Sequence, residues 1–471
     1  MSNDAHEPFG ADAENFRAAG ARVLEQCTNL LATLADRPVK PPINGEQSVA
    51  RFGAVPPEEG MGLAALDALD DLFSNSRTPN GRFFGYVLGS GEPIAALGDL
   101  AASVLNQNVT AWRSSPAAVT IERAVIEWIA SAIGAPGFTG SLMGGGSMAN
   151  LAALAMAREQ RAPANEAGAQ PGPIYLTAET HFSSKKAVAL LGLGTRSLRT
   201  VAMDGELRMR PDALDAAITE DERRGLRPLA VIASAGTTAT GSIDPIPQIA
   251  EVARKHGLWL HVDGAYGGFA ALAVPEKFPG LALADSITLD AHKWLYQPLD
   301  CACLLFREPA AARAAFSATG EITRVFSDDP IESFAFFEES PELSRRFRAL
   351  KVWLSVRYHG VSAFRAAIRK DLELAQRLAS RIDATPTLER LAPVPLSAVC
   401  FRWVGDRKLA ESALEARNAT LLTSINARGR VYLSNARING HFCLRACLTN
   451  HRTRPEDVDA VVSEALAAAG S

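Results

Sequence analysis

The sequence is poor in cysteine, lacks a long apolar run and carries almost no excess charge. Six cysteines occur in 471 residues, and their spacings match neither a C-x-x-C motif nor a paired metal site. We therefore expect small buried thiols in a reducing compartment and no metal. No uncharged stretch reaches the ~18 apolar residues of a membrane-spanning helix. The net charge of −4 gives no reason to expect nucleic acid or an anionic membrane as a partner.

The N-terminus also lacks the features of a secretory signal. Residues 1–10 contain acidic side chains but neither a basic segment nor an apolar core, so we expect the protein in the cytoplasm. Because the chain exceeds the ~250–300 residues at which one hydrophobic core stops growing, several structural units are expected.

Apolar periodicity predicts three parts. Residues 1–90 form an arm with one helix near 13–35, a second near 58–73 and extended chain between them. Such an arm has no core of its own, so it has to pack on the main body or on another copy of the chain.

Residues 91–355 alternate unbroken apolar strands with helices. This alternation predicts a large domain with a mostly parallel sheet covered on both faces. Residues 356–471 predict a smaller α+β domain with antiparallel strands near 399–404 and 442–448. Its terminal helix is expected to begin at Thr453-Arg454-Pro455-Glu456, which fits a capping box.

Side chains with useful chemistry follow four predicted strands. Lys293 comes after an apolar strand, in Asp290-Ala291-His292-Lys293-Trp294, and Asp263 ends another strand; His181 and Thr238 follow two more. Because ligands of parallel sheets bind beyond the carboxyl ends of the strands, we expect these side chains to share one site. A lysine that loses its proton is a nucleophile, most often toward a carbonyl cofactor. The alternative is a strand-end lysine reaching to water.

A glycine-rich turn precedes one predicted helix. Gly144, Gly145 and Gly146 let backbone N–H groups approach an anion at a helix N-terminus, and Ser147 adds a hydroxyl. The stretch is neither a G-x-G-x-x-G motif nor a P-loop. Taken alone, it fits a phosphate cradle and a plain glycine turn with a serine cap about equally.

The surroundings of Asp263 leave room for a flat ring, because small Gly264 and Ala265 follow it. A buried carboxylate needs a cationic or hydrogen-bonding partner, and a pyridinium nitrogen is one. His181 could stack on the same ring. The alternatives are a loop-capping aspartate and a structural histidine.

Together, these residues resemble the pyridoxal-phosphate-dependent group II decarboxylases, and most closely the aromatic-L-amino-acid decarboxylase branch. The likeness covers most of the chain, from Phe83-Phe84-Gly85-Tyr86 through Arg345-Arg346-Phe347-Arg348 to Leu444-Arg445-Ala446. The resemblance implies an α/β, fold-type I, aspartate-aminotransferase-like architecture. It would have a seven-stranded large domain, a helical N-terminal arm and a small C-terminal α+β domain. It also implies a homodimer with shared active sites and an exchanged arm.

The resemblance implies a role for each site residue. Lys293 would bind pyridoxal 5'-phosphate as a Schiff base, Asp263 would keep its ring nitrogen protonated, and His181 would stack on the ring. The other residues implied to contact the cofactor are Gly145, Gly146, Ser147, Thr238, Ala265 and His292. The implied reaction is decarboxylation of an L-amino acid, aromatic or related, to the amine and CO2 through an external aldimine and a quinonoid.

The chain departs from this branch in a loop that would carry a proton-donating tyrosine. Phe336 stands at its place, and no tyrosine occurs between Tyr296 and Tyr358. In the family, a phenylalanine there accompanies decarboxylation coupled to oxidative deamination, which gives an aldehyde. His181 or a residue of a partner subunit could donate the proton instead.

The expected substrate pocket, near Tyr86, Trp112 and Arg113, also contains the polar residues Asn108 and Thr110. Three alternatives therefore stay open. The protein could decarboxylate an acidic or diamino acid, it could be a carbon–carbon lyase, or it could be a catalytically silent cofactor-binding protein.

Overall fold

The computed structural model describes residues 13–317, 327–405 and 409–470. Its strands form two sheets. They are β1 (Thr139–Met143), β2 (Ile174–Leu176), β3 (Leu198–Thr200), β4 (Ala230–Ser234), β5 (Trp259–Asp263), β6 (Ser286–Asp290), β7 (Ala302–Phe306), β8 (Leu388–Arg390), β9 (Ala398–Trp403), β10 (Ser434–Ile438) and β11 (His441–Cys447).

Helices precede, separate and follow these strands. They are α1 (Ala13–Thr33), α2 (Gly45–Phe52), α3 (Ala68–Asn75), α4 (Pro93–Leu105), α5 (Pro116–Ala132), α6 (Gly146–Arg161), α7 (Phe182–Leu190), α8 (Pro211–Arg223), α9 (Ile246–Lys255), α10 (Ala291–Trp294), α11 (Pro309–Phe316), α12 (Ala349–His359), α13 (Val361–Asp383), α14 (Glu411–Arg428) and α15 (Pro455–Ala469).

The larger sheet has seven strands in the order β1-β7-β6-β5-β4-β2-β3. Strand β7 runs antiparallel to both of its neighbours, whereas the pairs from β6 to β3 are parallel. The prediction of a mostly parallel, seven-stranded sheet is therefore confirmed. Short β1 and β3 were not predicted, because they contain polar residues such as Thr139 and Arg199.

Alternation of side chains explains why β4 is apolar from Ala230 to Ala233. Ala230 and Ile232 pack in a core with α6 and α7, while Val231 and Ala233 pack in a core with α5, α8 and α9. Both faces of the strand are thus covered by helices, as expected for a parallel sheet. Ser234, the polar residue of β4, lies at the carboxyl end of the strand.

The smaller sheet has the order β10-β11-β9-β8, and its pairs are all antiparallel. It confirms the two strands predicted near 399–404 and 442–448. The predicted helix cap at Thr453 is wrong. Helix α15 is capped one residue later, where the Arg454 N–H donates to the Asp457 carboxylate at 2.9 Å. The Thr453 hydroxyl instead donates to the Gly81 carbonyl oxygen.

The N-terminal arm contains one more helix than the sequence predicts. Residues 45–52 form α2 rather than extended chain, because Asn44 and Gln47 make a reciprocal capping box. Large apolar side chains of the arm lie on its surface, among them Phe16, Val49 and Phe52. The boundaries predicted at 90/91 and 355/356 stay predictions. In the described part of the chain, no helix combines the length and apolarity needed to cross a bilayer.

Candidate active site

A cavity of about 500 Å³ lies at the carboxyl ends of β4, β5 and β6, beside the N-terminus of α6. Eleven residues nominated from the sequence line it. They are Tyr86, Gly144, Gly145, Gly146, Ser147, His181, Thr238, Asp263, Ala265, His292 and Lys293. A slightly larger cavity, about 580 Å³, lies near Pro245 and Pro393 and contains none of them. The convergence of the strand ends therefore identifies the functional cavity better than size does.

Lys293 lies in α10, the short helix that follows β6. Its Nζ is 2.9 Å from Oδ2 of Asp290, and its side chain is 17% exposed. The neighbouring His292 Nδ1 is 3.0 Å from the Cys301 carbonyl oxygen and 3.3 Å from the Cys301 backbone nitrogen. Burial lowers the pKa of His292, an effect only partly opposed by the Asp290 carboxylate. The lysine is thus a nearly buried amine beside a carboxylate and a neutral imidazole.

Asp263 ends β5 and is fixed from two sides. The Asn150 amide nitrogen donates to Asp263 Oδ2 at 2.8 Å, and the Ala265 N–H donates to Oδ1 at 3.1 Å. Donors to both oxygens fix the orientation of the side chain. Asp263 therefore presents a buried, rigidly held carboxyl group to the cavity.

A buried chain of hydrogen bonds continues behind Asn150. Its Oδ1 is 3.0 Å from His261 Nε2, and His261 Nδ1 is 2.9 Å from the Ser286 hydroxyl, which also accepts from Trp259 Nε1. Burial lowers the pKa of His261 to about 4, so the imidazole is neutral. Because Asn150 Oδ1 can only accept, His261 carries its proton on Nε2. Every donor in the chain then points toward Asp263.

The glycine turn leaves the N-terminus of α6 open. The cap residue Gly145 has φ 114°, and no side chain caps the helix; Ser147 is an exposed residue inside it. A Cβ atom on Gly146 would lie 2.9 Å from an oxygen of Asp290 and 3.0 Å from Cβ of Ala265. Uncapped N–H groups at a helix N-terminus bind anions. The turn therefore has the features of a phosphate cradle.

Arg345 holds the strand that leads into this turn. It is wholly buried and pairs with the wholly buried carboxylate of Glu122, which also accepts from the Leu142 N–H at 2.9 Å. Arg345 donates further to the carbonyl oxygens of Val109 and Leu142. The Arg-Arg-Phe-Arg element therefore anchors the end of β1, immediately before Gly144.

His181 is the N-cap of α7, where its Nδ1 contacts the Ser183 N–H and hydroxyl at 3.3 and 2.8 Å. Burial lowers the pKa of His181, so a neutral ring faces the cavity. On the other side, Arg445 of the smaller sheet donates to the carbonyl oxygens of Tyr86 and Thr238. The smaller sheet therefore holds two residues that line the cavity, although Arg445 itself does not line it.

Three nominated substrate residues do not line the cavity of their own chain. Phe336 is fully buried, with its ring centroid 4.1 Å from the guanidinium carbon of Arg345. Trp112 is half-buried, and its backbone N–H donates to the Phe334 carbonyl oxygen. Arg113 is exposed. The structure brings together the predicted cofactor residues but, among the predicted substrate residues, only Tyr86.

Sequence reasoning missed Asn150, His261 and Asp290 as parts of the site. Two of them had a detectable signal. Asn150 lies one helical turn after Gly146, and His261 lies two residues before Asp263, on the same face of β5. Asp290 had no separate signal, because it is the last residue of β6 and no motif sets it apart from other strand ends.

These groups suit one ligand. The open helix terminus can bind a phosphate, and the carboxyl group of Asp263 can pair with a protonated ring nitrogen. The amine of Lys293 can form a Schiff base with an aldehyde. An open, mostly parallel sheet with this set at its carboxyl edge defines a fold-type I enzyme that depends on pyridoxal 5'-phosphate.

Comparison with known proteins narrows the class. Residues 69–404 match the model of the pyridoxal-dependent decarboxylase conserved domain. The chain belongs to this family.

The similarity to known relatives extends over almost the whole chain. An aromatic-L-amino-acid decarboxylase of Bacillus atrophaeus is 32% identical over 458 residues, 96% of this chain and 95% of that protein. A phenylacetaldehyde synthase of Petunia hybrida is 30% identical and covers 92% and 90% of the two chains. The crystal structure of Rhodiola rosea 4-hydroxyphenylacetaldehyde synthase superposes with a TM-score of 0.87 at 29% identity over 98% of both chains. The chain is thus a pyridoxal-phosphate-dependent carboxy-lyase.

Proposed function

We propose that this enzyme decarboxylates an aromatic L-amino acid to the amine and CO2, with Lys293 as the residue that binds the cofactor. The observation that carries the proposal is the position of Lys293 Nζ in one cavity with Asp263 and the open α6 terminus. The bound cofactor supplies an electron sink for the pair of electrons that CO2 leaves behind. The aromatic substrate class is favoured by the similarity to an aromatic-L-amino-acid decarboxylase.

The protein's own side chains would orient and charge the reactants. Asp263, held by Asn150 and the Ala265 N–H, supplies a fixed anion opposite a ring nitrogen. The N–H groups at Gly146 and Ser147 would bind the phosphate. His181 and Ala265, which line the same cavity, would hold the ring, and the small side chain of Ala265 would permit close approach.

A homodimer with shared active sites completes this proposal. Tyr86 is 53% exposed although it lines the cavity. The arm also exposes apolar side chains that a second copy would cover. A cytoplasmic location is supported by the cysteines, since all six are free thiols and disulfides are rare in that compartment.

An aldehyde-forming reaction is the second candidate, for a specific reason. The segment between Tyr296 and Tyr358 contains no tyrosine, and two relatives are named as aldehyde synthases. Such a reaction would consume O2 and release ammonia and peroxide together with CO2.

Product analysis tests both candidates. Purified protein is loaded with pyridoxal phosphate and given aromatic, acidic and basic L-amino acids, and CO2, amine, aldehyde and peroxide are measured. We expect CO2 and amine from an aromatic substrate, and no CO2 from Lys293→Ala. Aldehyde with peroxide would favour the second candidate. CO2 from acidic substrates alone would refute the aromatic assignment, and the absence of CO2 from every substrate would refute both.

Phe336→Tyr tests the role of the loop. A shift of the product toward amine would show that a tyrosine at position 336 donates the proton. Because Phe336 is buried against Arg345, we expect the product to stay unchanged in any variant that folds.

A further inference from the structure

A further cavity lies at the opposite edge of the larger sheet, at the amino ends of β5 and β6. Its volume is about 270 Å³, just below the range of about 300–1,000 Å³ that is usual for small-molecule sites. Three arginines line it, namely Arg161 from the end of α6, Arg254 from α9 and Arg307, which follows β7. The acidic residue in the lining is Asp285. A small ligand with an anionic end fits both this size and this set of charges.

Arg307 is held in place at the wall of this cavity. Its Nη2 donates to the carbonyl oxygens of Ala282 and Ala284 at 2.6 and 2.8 Å, and its guanidinium carbon lies 5.3 Å from the ring centroid of Phe138. Neither hydrogen bond uses the hydrogens on Nη1 or Nε, so these donors stay available for another acceptor. Arg307 therefore presents an oriented cation whose charge is not taken up by a carboxylate.

The other two arginines of this cavity have no carboxylate close by. Within the described ranges of the chain, the side chains of Arg161 and Arg254 form neither an ion pair nor a hydrogen bond. Nη1 of Arg161 lies beside Gly257, 3.9 Å from the position that a Cβ atom would take there. Both arginines stand near helix C-termini, where the helix dipole favours a cation, but that interaction uses none of their N–H groups. Each can therefore donate to a ligand.

Asp285 offsets only part of this positive charge. Its Oδ2 accepts from the Leu260 N–H at 2.7 Å. Burial raises the pKa of Asp285, an effect opposed in part by that N–H and by Arg307 and Arg161. Glu308 also acts on Asp285 but does not line the cavity. Three guanidinium groups and one carboxylate leave the lining with a net charge of +2, which a dianion would neutralise.

We propose that this cavity binds a dianionic phosphate group, free or as the end of a small phosphate monoester. A phosphate monoester carries close to two negative charges at neutral pH, and its oxygens accept from several guanidinium groups at once. The Asp285 carboxylate would accept from a hydroxyl group of the ester. The site is separate from the one at α6, because Asp263 and Asp290 lie at the other ends of β5 and β6.

Calorimetric titration at low ionic strength, where screening is weak, tests the proposal. The protein is loaded with pyridoxal phosphate and freed of excess, so that the cofactor site is already filled. It is then titrated with inorganic phosphate and with glycerol 3-phosphate, and we expect saturable binding to a single site per chain. Tighter binding of glycerol 3-phosphate would identify a monoester as the ligand, and equal or weaker binding would identify free phosphate. No heat of binding from either compound would overturn the proposal.

A double variant shows where the phosphate binds. Arg161→Gln combined with Arg254→Gln removes two of the cations, and we expect the dissociation constant to rise about tenfold or more. Arg196→Gln combined with Arg227→Gln is the matched control, because these arginines lie outside the cavity and the net charge changes equally. All four side chains are exposed, so both variants should fold. Equal weakening in the two variants would show an effect of net charge alone and overturn the assignment.

Asp285→Asn tests the charge argument with the opposite sign. The amide keeps an oxygen that accepts from the Leu260 N–H and removes the negative charge that repels phosphate. We therefore expect inorganic phosphate to bind more tightly, on the order of threefold. Unchanged or weaker binding of inorganic phosphate in a folded Asp285→Asn variant would contradict a site that recognises its ligand by charge.

Discussion

Neutralising Glu122 should destabilise the protein strongly, although this residue lies outside the cavity. Glu122→Gln keeps the side-chain shape and the oxygen that accepts from the Leu142 N–H. It removes the negative charge that compensates Arg345, and both side chains are 0% exposed. Breaking a buried ion pair by removing one partner costs about 3–5 kcal/mol. Because Glu342 lies 3.9 Å from Arg345 and is 23% exposed, it compensates part of the loss, and we expect about 3 kcal/mol.

The assay is urea unfolding of the apoprotein in a double-mutant cycle. Arg345→Leu and the double variant are measured beside Glu122→Gln, since the coupling between them isolates the pair. We expect the double variant to be less destabilised than the sum of the single variants. Glu220→Gln removes one partner of an exposed pair with Arg223 and should leave unfolding unchanged. A loss below about 1 kcal/mol in Glu122→Gln would match an exposed pair and refute the reasoning.

The same variant should also weaken cofactor binding. Glu122 and Arg345 fix Leu142 in β1, two residues before the turn Gly144–Gly146. We therefore expect the dissociation constant for pyridoxal phosphate, measured by absorbance titration, to rise in Glu122→Gln and to stay unchanged in Glu220→Gln.

Three further predictions concern the site and its support. Gly146→Ala should raise the dissociation constant for pyridoxal phosphate at least tenfold, because its Cβ would press on Asp290 and Ala265. Gly205→Ala, with open space around it, should bind like the wild type, and equal binding by both variants would contradict the cradle. Asn150→Leu should lower the free energy of unfolding by about 2–4 kcal/mol, since it removes the hydrogen bonds of Asn150 to Asp263 Oδ2 and His261 Nε2; a change under about 0.5 kcal/mol would show that water replaces the amide. Burial raises the pKa of Asp371 to about 7, so the folded protein binds this proton more tightly than the unfolded chain. The stabilisation is present below about pH 4 and is lost as the pH rises to about 7. Asp371→Asn should therefore flatten the decline in unfolding free energy across that range, and an unchanged slope would contradict the assignment.

The parts of the fold that could be predicted from sequence are those with repetitive local signals. Strand β4 is apolar from Ala230 to Ala233 because both faces are covered. Helix α6 follows a glycine turn and has a regular apolar face. Short β3 has three residues, two of them polar or charged, so neither its length nor its composition distinguishes it from a loop. Helix α2 depends on the reciprocal hydrogen bonds of Asn44 and Gln47. This pair is too short a pattern to appear as an apolar periodicity in the sequence.

The cofactor side of the site was predictable for a related reason. Lys293, Asp263 and Gly146 each follow or precede a regular element, so local patterns locate them at one edge of the sheet. The substrate side stays a prediction, because Trp112 and Phe336 begin single turns of 3-10 helix whose positions depend on tertiary packing. Phe336 shows this directly, since its ring packs on Arg345 and not in the cavity.

Arg445 ties the smaller sheet to the wall of the cavity. Its guanidinium donates to the carbonyl oxygens of Tyr86, Thr238 and Ala239, which belong to two separate segments, and Tyr86 and Thr238 line the cavity. Moving the smaller sheet away would break these bonds together, because one rigid planar group makes them all. A single side chain far along the sequence therefore couples the position of the smaller sheet to the shape of the site.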